Sequence, residues 1–327
     1  MAFPILKPVD SSELARRARS HWTPDRLERL MAGKRLPLHP VTHCAFLHAT
    51  GLMDDDASVT SGQVKKFLQI NHMISLIAPP FQALAKAMPG RALTLLDAGC
   101  GNSWLSLAFA FLAREASTGH FPQIRDWRDT RFDLHVVGVD TNATVIAQSR
   151  DRAAVLGLES VMSFQCCALR EAVLPDRLHA VMALHACDTA TDDALALGLK
   201  KQADLLAVAP CCQAELAQYF KTPAALQKGA SPLGVIVHSP NLRRDAAATF
   251  TDALRLALVR SMGYEASATE FIPSAHTPKN RLILAERRGR WNKDGRAEFL
   301  ALKGALGQPE LALERAVSQE LAARFPD

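Results

Sequence analysis

The chain has 327 residues, of which 48% are hydrophobic and 22% are charged, with a formal net charge of +5. This length suits one main domain with appendages, and the hydrophobic fraction is enough to fill a core. The seven cysteines are an odd number without regular spacing, which argues against a disulfide-stapled scaffold and favours a reducing compartment. The mildly basic balance is compatible with a polyanionic partner without requiring one.

Membrane and secretion segments are not expected in this sequence. A membrane-spanning helix needs about 18 or more consecutive apolar residues, and the sequence has no such run. Residues 1–10 contain prolines and an aspartate where a secretion signal would need an unbroken apolar stretch. We therefore expect a cytoplasmic protein without a membrane partner.

The first third of the chain is predicted to be helical. Residues 11–35 form a basic segment that is either a solvated helix face, the simpler interpretation, or an arm that contacts RNA phosphates. A loop is expected at 54–56, and Ser61 is expected to cap a helix that runs to Ala87. The basic side chains of the first segment are Arg16, Arg17, Arg19, Arg26, Arg29, Lys34 and Arg35.

From residue 92 onward, short apolar runs alternate with amphipathic helices, which is typical of βαβ units. Strands are predicted at 93–97, 133–139, 161–165, 179–184, 204–209, 264–272 and 280–287. Helices are predicted at 103–115, 142–156, 189–201, 211–220 and 245–262. We expect an α/β fold with a doubly wound, seven-stranded, mostly parallel sheet, whose last two strands form a hairpin. Helical extensions would flank it, giving segments 1–60, 61–290 and 291–327, the last with two short helices.

The first predicted strand runs into the sequence Asp97-Ala98-Gly99-Cys100-Gly101-Asn102, after which a helix begins. Glycines let the backbone turn tightly and approach a ligand beside the exposed amides of a helix N-terminus. A dinucleotide fingerprint needs a third glycine three residues after the second, and Trp104 occupies that position. The leading carboxylate of Asp97 suits instead the charged amino-acid end of S-adenosyl-L-methionine (SAM). The loop therefore predicts a SAM site.

A second carboxylate, Asp140, ends the next predicted strand. In that position it can accept hydrogen bonds from both ribose hydroxyls of an adenosine ligand. Alternatively, Asp140 only caps the helix that begins near Asn142. Cys166 and Cys167, after the third strand, would line the adenine pocket. The predicted cofactor-binding residues are Asp97, Gly99, Cys100, Gly101, Asn102, Asp140 and Thr141.

Two further motifs follow the fourth and fifth predicted strands, HACDTATD at 185–192 and PCCQ at 210–213. They resemble the paired H-x-C-(D/G)-x-x-T-D and C-C motifs of a group of class I methyltransferases. That group includes the tRNA acceptor-stem 2′-O-methyltransferases and the methyltransferase domain of glutathione S-transferase C-terminal-domain-containing protein. The segment HTPKNR at 276–281 resembles the T-P-(R/K)-N stretch of the latter. The resemblance covers about residues 63–288, and residues 1–60 lack the Cys/His zinc module of the tRNA enzymes.

The resemblance implies methyl transfer from SAM, with the reactive methyl directed at the end of the fourth strand. His185, Cys187 and Asp188 would then be the catalytic residues, with His185 as a base that Asp188 orients. The expected acceptor is an oxygen or nitrogen of RNA, either tRNA or rRNA. A methyltransferase for a protein or small molecule and a non-catalytic SAM-binding scaffold stay open. The substrate pocket would include Pro210, Cys211, Cys212, Lys279 and Asn280.

Simpler interpretations exist for the same residues. His185 is equally explained as a structural histidine, and Asp188 and Asp192 as caps of the next helix. A zinc site could combine His185 with the cysteines of the two motifs, but no C-x-x-C pair exists and consecutive cysteines of an extended chain point in opposite directions. We therefore predict no metal. The sequence leaves the oligomeric state open.

Overall fold

The structure, a computed structural model, describes residues 10–118, 132–184, 189–210, 214–222, 233–271 and 280–325. Its strands are β1 (Leu93–Ala98), β2 (Leu134–Asp140), β3 (Met162–Cys166), β4 (Ala180–Ala183), β5 (Leu205–Val208), β6 (Tyr264–Glu270) and β7 (Arg281–Arg287). They form a seven-stranded sheet with the order β3-β2-β1-β4-β5-β7-β6. β1, β2 and β3 pair in parallel, as do β4 and β5, whereas β7 is antiparallel to both β5 and β6. The predicted α/β sheet and its terminal hairpin are confirmed.

Helices flank these strands along the whole described chain. They are α1 (Ser11–His21), α2 (Pro24–Met31), α3 (Cys44–Ala49), α4 (Ser61–Ala87), α5 (Trp104–Thr118), α6 (Ala143–Val155), α7 (Thr189–Lys200), α8 (Ala214–Tyr219), α9 (Gly234–His238), α10 (Pro240–Ser261), α11 (Lys293–Ala305), α12 (Ala312–Ala316) and α13 (Ser318–Arg324). The chain divides into two compact units, Met1–Leu174 and Pro175–Asp327. The segment boundaries predicted at 60 and 290 stay a prediction. Among the described helices, none has the length and apolarity that a membrane crossing needs.

The core of the first unit is built around β1 and β2, which are buried along almost their whole length. Strands covered on both faces carry nearly continuous apolar runs, which Thr94 interrupts in β1 and His135 in β2. Phe81 of α4 packs against Phe109 of α5 and against Phe132, with ring centroids 5.7 Å apart in each pair. Each buried aromatic side chain stabilises the fold by about 1.5–3 kcal/mol. These contacts pack α4 against α5 and against the residues that lead into β2.

Residues 11–35 form two helices with a short break between them. α1 ends at His21, and α2 begins at Pro24, whose fixed φ suits the first turn of a helix. Within the break, the indole N–H of Trp22 donates to the carbonyl of Ala57 at 3.0 Å and anchors the segment in the unit.

The start of α4 differs by one residue from the prediction. Thr60, and not Ser61, is the N-cap. The Thr60 hydroxyl accepts from the amide of Gln63 at 3.3 Å, and the Gln63 side chain accepts from the amide of Thr60 at 2.6 Å. This reciprocal capping box needs a hydroxyl residue three positions before the glutamine, a spacing that only Thr60 satisfies.

In the second unit, β4 and β5 are fully buried and α7 packs closely on them. A Cβ added at Gly198 of α7 would lie 2.4 Å from the Leu206 side chain, so only glycine permits this approach. α10 begins at Pro240, five residues earlier than predicted, because proline at the first helical position starts the helix there. The C-terminal tail contains three helices instead of the predicted two, since a break at Val317 separates α12 from α13.

Candidate cofactor site

The loop that follows β1 lies against the end of β2. The register pairs Asp97 with Gly138, and the amides of Gly99 and Cys100 both donate to the carbonyl of Val139, at 2.8 and 3.0 Å. The backbone then turns through left-handed conformations, with φ of +67° at Gly99 and +52° at Gly101. Only glycine adopts such angles without strain. A Cβ at Gly101 would meet no described atom within 4 Å, so open space borders the loop.

Asp97 is buried at the end of β1, with 5% of its surface exposed. The Ser106 hydroxyl donates to its carboxylate at 2.6 Å. Burial raises the pKa of Asp97 to about 6, against the opposing hydrogen bond from Ser106, and the nearby charge of Asp140 adds to the rise. The carboxylate is therefore held in its charged form only weakly, and a cationic group beside it would strengthen that form.

Asp140 ends β2 and joins the glycine loop to the next helix. One carboxylate oxygen accepts from the amide of Gly101 and the other from the amide of Asn142, each at 2.9 Å. Asn142 caps α6 by accepting from Thr144 and Val145, so Asp140 is not the N-cap. Each carboxylate oxygen has a second acceptor position. Asp140 is thus oriented by two amides and keeps the capacity to accept two hydroxyls.

The rear of the glycine loop is held by α6. The Ser149 hydroxyl donates to the carbonyl of Gly101 at 3.2 Å, and the guanidinium of Arg152 donates to the side chain of Asn102 at 3.2 Å. Arg152 is 3% exposed, and burial lowers its pKa. Ser149 and Arg152 are three residues apart and share one helix face. Sequence patterns gave no sign that this face supports the loop.

Cys100, one of the predicted cofactor-binding residues, has a buried side chain. Its sulfur lies so close to Gly138 that a Cβ there would be 3.2 Å away, and burial raises the pKa of the thiol. A thiol in such surroundings is inert. Cys100 can therefore offer a ligand only its backbone.

The end of β3 lies beside the end of β2. The amide of Cys167 donates to the carbonyl of Asp140 at 3.1 Å, and the Cys166 thiol contacts the carbonyl of Thr141 at 3.7 Å. Cys166 and Thr141 are exposed, and Cys167 is partly exposed. These three residues adjoin Asp140, as an adenosine-binding wall would require, and that role stays a prediction.

Most of the predicted acceptor residues lie outside the described part of the chain. They are His185, Cys187, Asp188, Cys211, Cys212 and Lys279. The residues of the alternative zinc site lie outside the described part as well. Pro210 and Asn280 are described and buried, and the Asn280 carbonyl accepts from the amide of Phe271 at 2.9 Å. Within the described ranges, no three His, Cys, Asp or Glu side chains cluster as metal ligands would.

The donors and acceptors around the loop fit SAM. A buried carboxylate at Asp97 matches an ammonium group, and the Asp140 carboxylate, 43 positions further along the chain, matches a ribose diol. The open space beside Gly101 leaves room for a chain that joins the two. NAD would instead place a pyrophosphate against the glycine loop, where the buried carboxylate of Asp97 would repel it.

Comparison with known proteins gives one family match. Similar solved structures include an rRNA methylase from Streptococcus thermophilus, at 12% identity over 63% of this chain and 93% of that chain, with a TM-score of 0.38. A putative rRNA methylase from Clostridium thermocellum is 15% identical over 65% of this chain and 96% of that chain, with a TM-score of 0.39. The METTL16 MTase domain is 10% identical over 87% of this chain and 94% of that chain, with a TM-score of 0.41. All three TM-scores are below 0.5, so these structures do not indicate the function of this chain. No curated protein matches the chain. A family described as a methyltransferase domain matches residues 65–219, just under half of the chain.

Proposed function

We propose that the protein is a SAM-dependent methyltransferase. The observation that carries this proposal is the pair of carboxylates, Asp97 and Asp140, that flanks the glycine turn at the ends of two parallel strands. Ligands of open α/β sheets bind at this edge. The methyltransferase domain match over 65–219 includes both carboxylates and the loop. A cytoplasmic location is part of the proposal and rests on the sequence.

SAM supplies a methyl group on a positively charged sulfur, ready for attack by a nucleophile. Asp97 would bind the ammonium of the amino-acid end, in surroundings where burial strengthens an ionic interaction. Asp140, oriented by the amides of Gly101 and Asn142, would accept both ribose hydroxyls. These two contacts hold the ligand at opposite ends and thereby fix the position of its reactive methyl. Correct positioning of the methyl is the main requirement of a direct transfer.

For the acceptor, we propose an oxygen or nitrogen of RNA, either tRNA or rRNA. Glu13 pairs with Arg16 at 2.7 Å and Arg17 at 2.8 Å, which neutralises only part of the N-terminal basic segment. No carboxylate in the described part of the chain pairs with the segment's other basic side chains, which are exposed. They are Arg19, Arg26, Arg29, Lys34 and Arg35.

A free cationic surface of this kind is suited to phosphate contacts.

On the acceptor side, His185 would act as the base for a ribose hydroxyl, oriented by Asp188. Cys187 and the pocket residues Pro210, Cys211, Cys212, Lys279 and Asn280 keep the roles that the family resemblance implies.

Calorimetric titration with SAM, its demethylated product and NAD tests the cofactor proposal. We expect micromolar binding of SAM and product, and a loss of about 100-fold or more in Asp140→Ala, because two hydrogen bonds to a charged acceptor disappear. Asp151→Ala, an exposed carboxylate on α6, is the matched control and should bind as wild type does. Binding of NAD, or no binding of SAM, would contradict the proposal.

Tritiated SAM then identifies the acceptor. Incorporation into total tRNA or rRNA, with RNA binding that weakens steeply as salt rises, would support the RNA proposal. Incorporation into protein or a small molecule without that salt dependence would replace it with the first alternative. Normal SAM binding without turnover on any of these pools would indicate the scaffold.

A further inference from the structure

We propose that Lys66 binds the α-carboxylate of SAM and so makes the site selective for ligands that keep their amino-acid end. Lys66 lies near the start of α4, and its ammonium nitrogen is 4.6 Å from the centroid of the Trp104 ring. Trp104 is the first residue of α5 and follows the glycine loop directly. This inference rests on the proposed SAM site.

The Trp104 ring is fixed where Lys66 meets it. Its indole N–H donates to the carbonyl of Thr50 at 3.1 Å, which ties the ring to the segment before α4. A cation over a tryptophan face is attracted by the electron density of the ring. The lysine is therefore drawn to the start of α5, beside the loop, rather than extending freely into solvent.

Lys66 has no counterion among the residues that the structure describes. No carboxylate of the described residues lies within ion-pair distance of it, although the side chain is partly buried. Burial lowers the pKa of Lys66 to about 8. The adjacent Lys65 is exposed, so the partly buried environment is particular to position 66. Partly burying an ammonium has a cost that an anion at this point would offset.

SAM brings one anion to this region of the protein. Its amino-acid end carries an ammonium and a carboxylate on the same carbon, so a carboxylate must lie within a few ångströms of the group that Asp97 binds. Asp97 precedes the glycine loop and Trp104 follows it. Lys66 over Trp104 supplies the positive charge that complements the negative charge of Asp97, and together they match a zwitterion.

A ligand comparison tests this assignment without any need for the acceptor. Binding of S-adenosylhomocysteine, which has the carboxylate, is compared with binding of decarboxylated S-adenosylhomocysteine and of 5′-methylthioadenosine, which lack it. Lys66→Gln should weaken S-adenosylhomocysteine by about 10- to 100-fold, the value of a hydrogen bond between charged groups. The two ligands without the carboxylate should bind Lys66→Gln and wild type equally. Lys66→Arg should recover part of the loss.

Lys65→Gln is the matched control, because it removes the same charge from the same turn of α4 and should leave all three affinities unchanged. Equal melting temperatures of the two glutamine variants exclude a loss through unfolding. Unchanged S-adenosylhomocysteine binding in Lys66→Gln overturns the inference, and so does an equal loss for all three ligands or a loss confined to RNA binding. If wild type itself binds no S-adenosylhomocysteine, the proposed function fails instead, which separates the two failures.

Discussion

Two buried aspartates, one in each unit, are treated differently by the fold. Asp192 in the first turn of α7 is 2% exposed and forms a two-point ion pair with Arg255 of α10, at 2.7 and 2.9 Å. Asp97, at 5% exposure, receives one side-chain hydrogen bond from the described residues, that of the Ser106 hydroxyl. Within the described part of the chain, Arg255 supplies the counter-charge of Asp192, and no cationic side chain pairs with Asp97. A buried carboxylate without a protein cation is the stronger sign of a ligand site.

The pair at Asp192 is part of a larger structural network. Arg255 also donates to Asp252 at 3.3 Å, and Asp252 accepts from Arg281 of β7 at 3.1 Å. Burial opposes the charge of Arg255, but the hydrogen bonds and charges of the two aspartates outweigh it and hold its pKa above the usual value. The network joins α7, α10 and β7. Asp192 therefore has a structural role in place of the helix-capping role that the sequence suggested.

The largest effect is expected from Asp192→Asn, which leaves the buried guanidinium of Arg255 beside a neutral amide. Removing one partner of a buried ion pair costs about 3–5 kcal/mol. The free energy of unfolding, measured by urea denaturation, should fall by that amount. Asp193→Asn, an exposed neighbour on the same helix, is the control and should change it by less than about 0.5 kcal/mol. Equal stability of the two variants would show that the pair does not hold this unit together.

Asp97→Asn should act in the opposite direction on stability. The raised pKa, about 6 against the ordinary 3.8, means that the charged carboxylate is disfavoured in the folded protein. Its removal should increase the free energy of unfolding at pH 8 by about 1–3 kcal/mol. Calorimetry on the same variant should show a SAM affinity about 10- to 100-fold weaker, because the ammonium loses its charged partner. A variant that is destabilised and binds SAM normally would place Asp97 in the same class as Asp192.

The pH dependence of SAM binding follows from the same carboxylate. Asp97 becomes protonated as the pH falls through about 6, and a neutral carboxyl no longer attracts an ammonium. SAM affinity in wild type should therefore fall about tenfold between pH 7.5 and pH 5, whereas Asp97→Asn should show a flat profile.

The stability of the ligand-free protein has the opposite pH dependence: the contribution of Asp97 to the free energy of unfolding increases as the pH falls. Because the folded pKa lies above the unfolded value, the contribution of Asp97 is fully present below pH 3.8 and is lost as the pH rises through about 6. Identical affinity profiles for wild type and Asp97→Asn would remove Asp97 from the site.

The fold could be predicted from the sequence more completely than the candidate site. The order of the strands and of the helices between them follows from apolar periodicity, which is local in the sequence. The starts of α4 and α10 depended on Thr60 and Pro240, and the break at Val317 was not predicted. Asp97 and Asp140 were predictable because each lies at the carboxyl end of a strand. Arg152 and Lys66 were not, since their importance depends on which helix face packs against the loop, and a single sequence does not encode that in a local pattern.

The smallest expected effect comes from the loop support at Arg152. Arg152→Met keeps much of the apolar side chain but removes the hydrogen bonds to the carbonyl and side chain of Asn102, at 3.4 and 3.2 Å. SAM affinity should fall by about three- to tenfold, because the loop is held less firmly in its binding conformation. If Arg152 acts through Asn102, the double variant with Asn102→Ala should bind no more weakly than the weaker single variant. Additive losses would mean that the two side chains act independently, and that the support by α6 reaches the ligand through Ser149 and Gly101 instead.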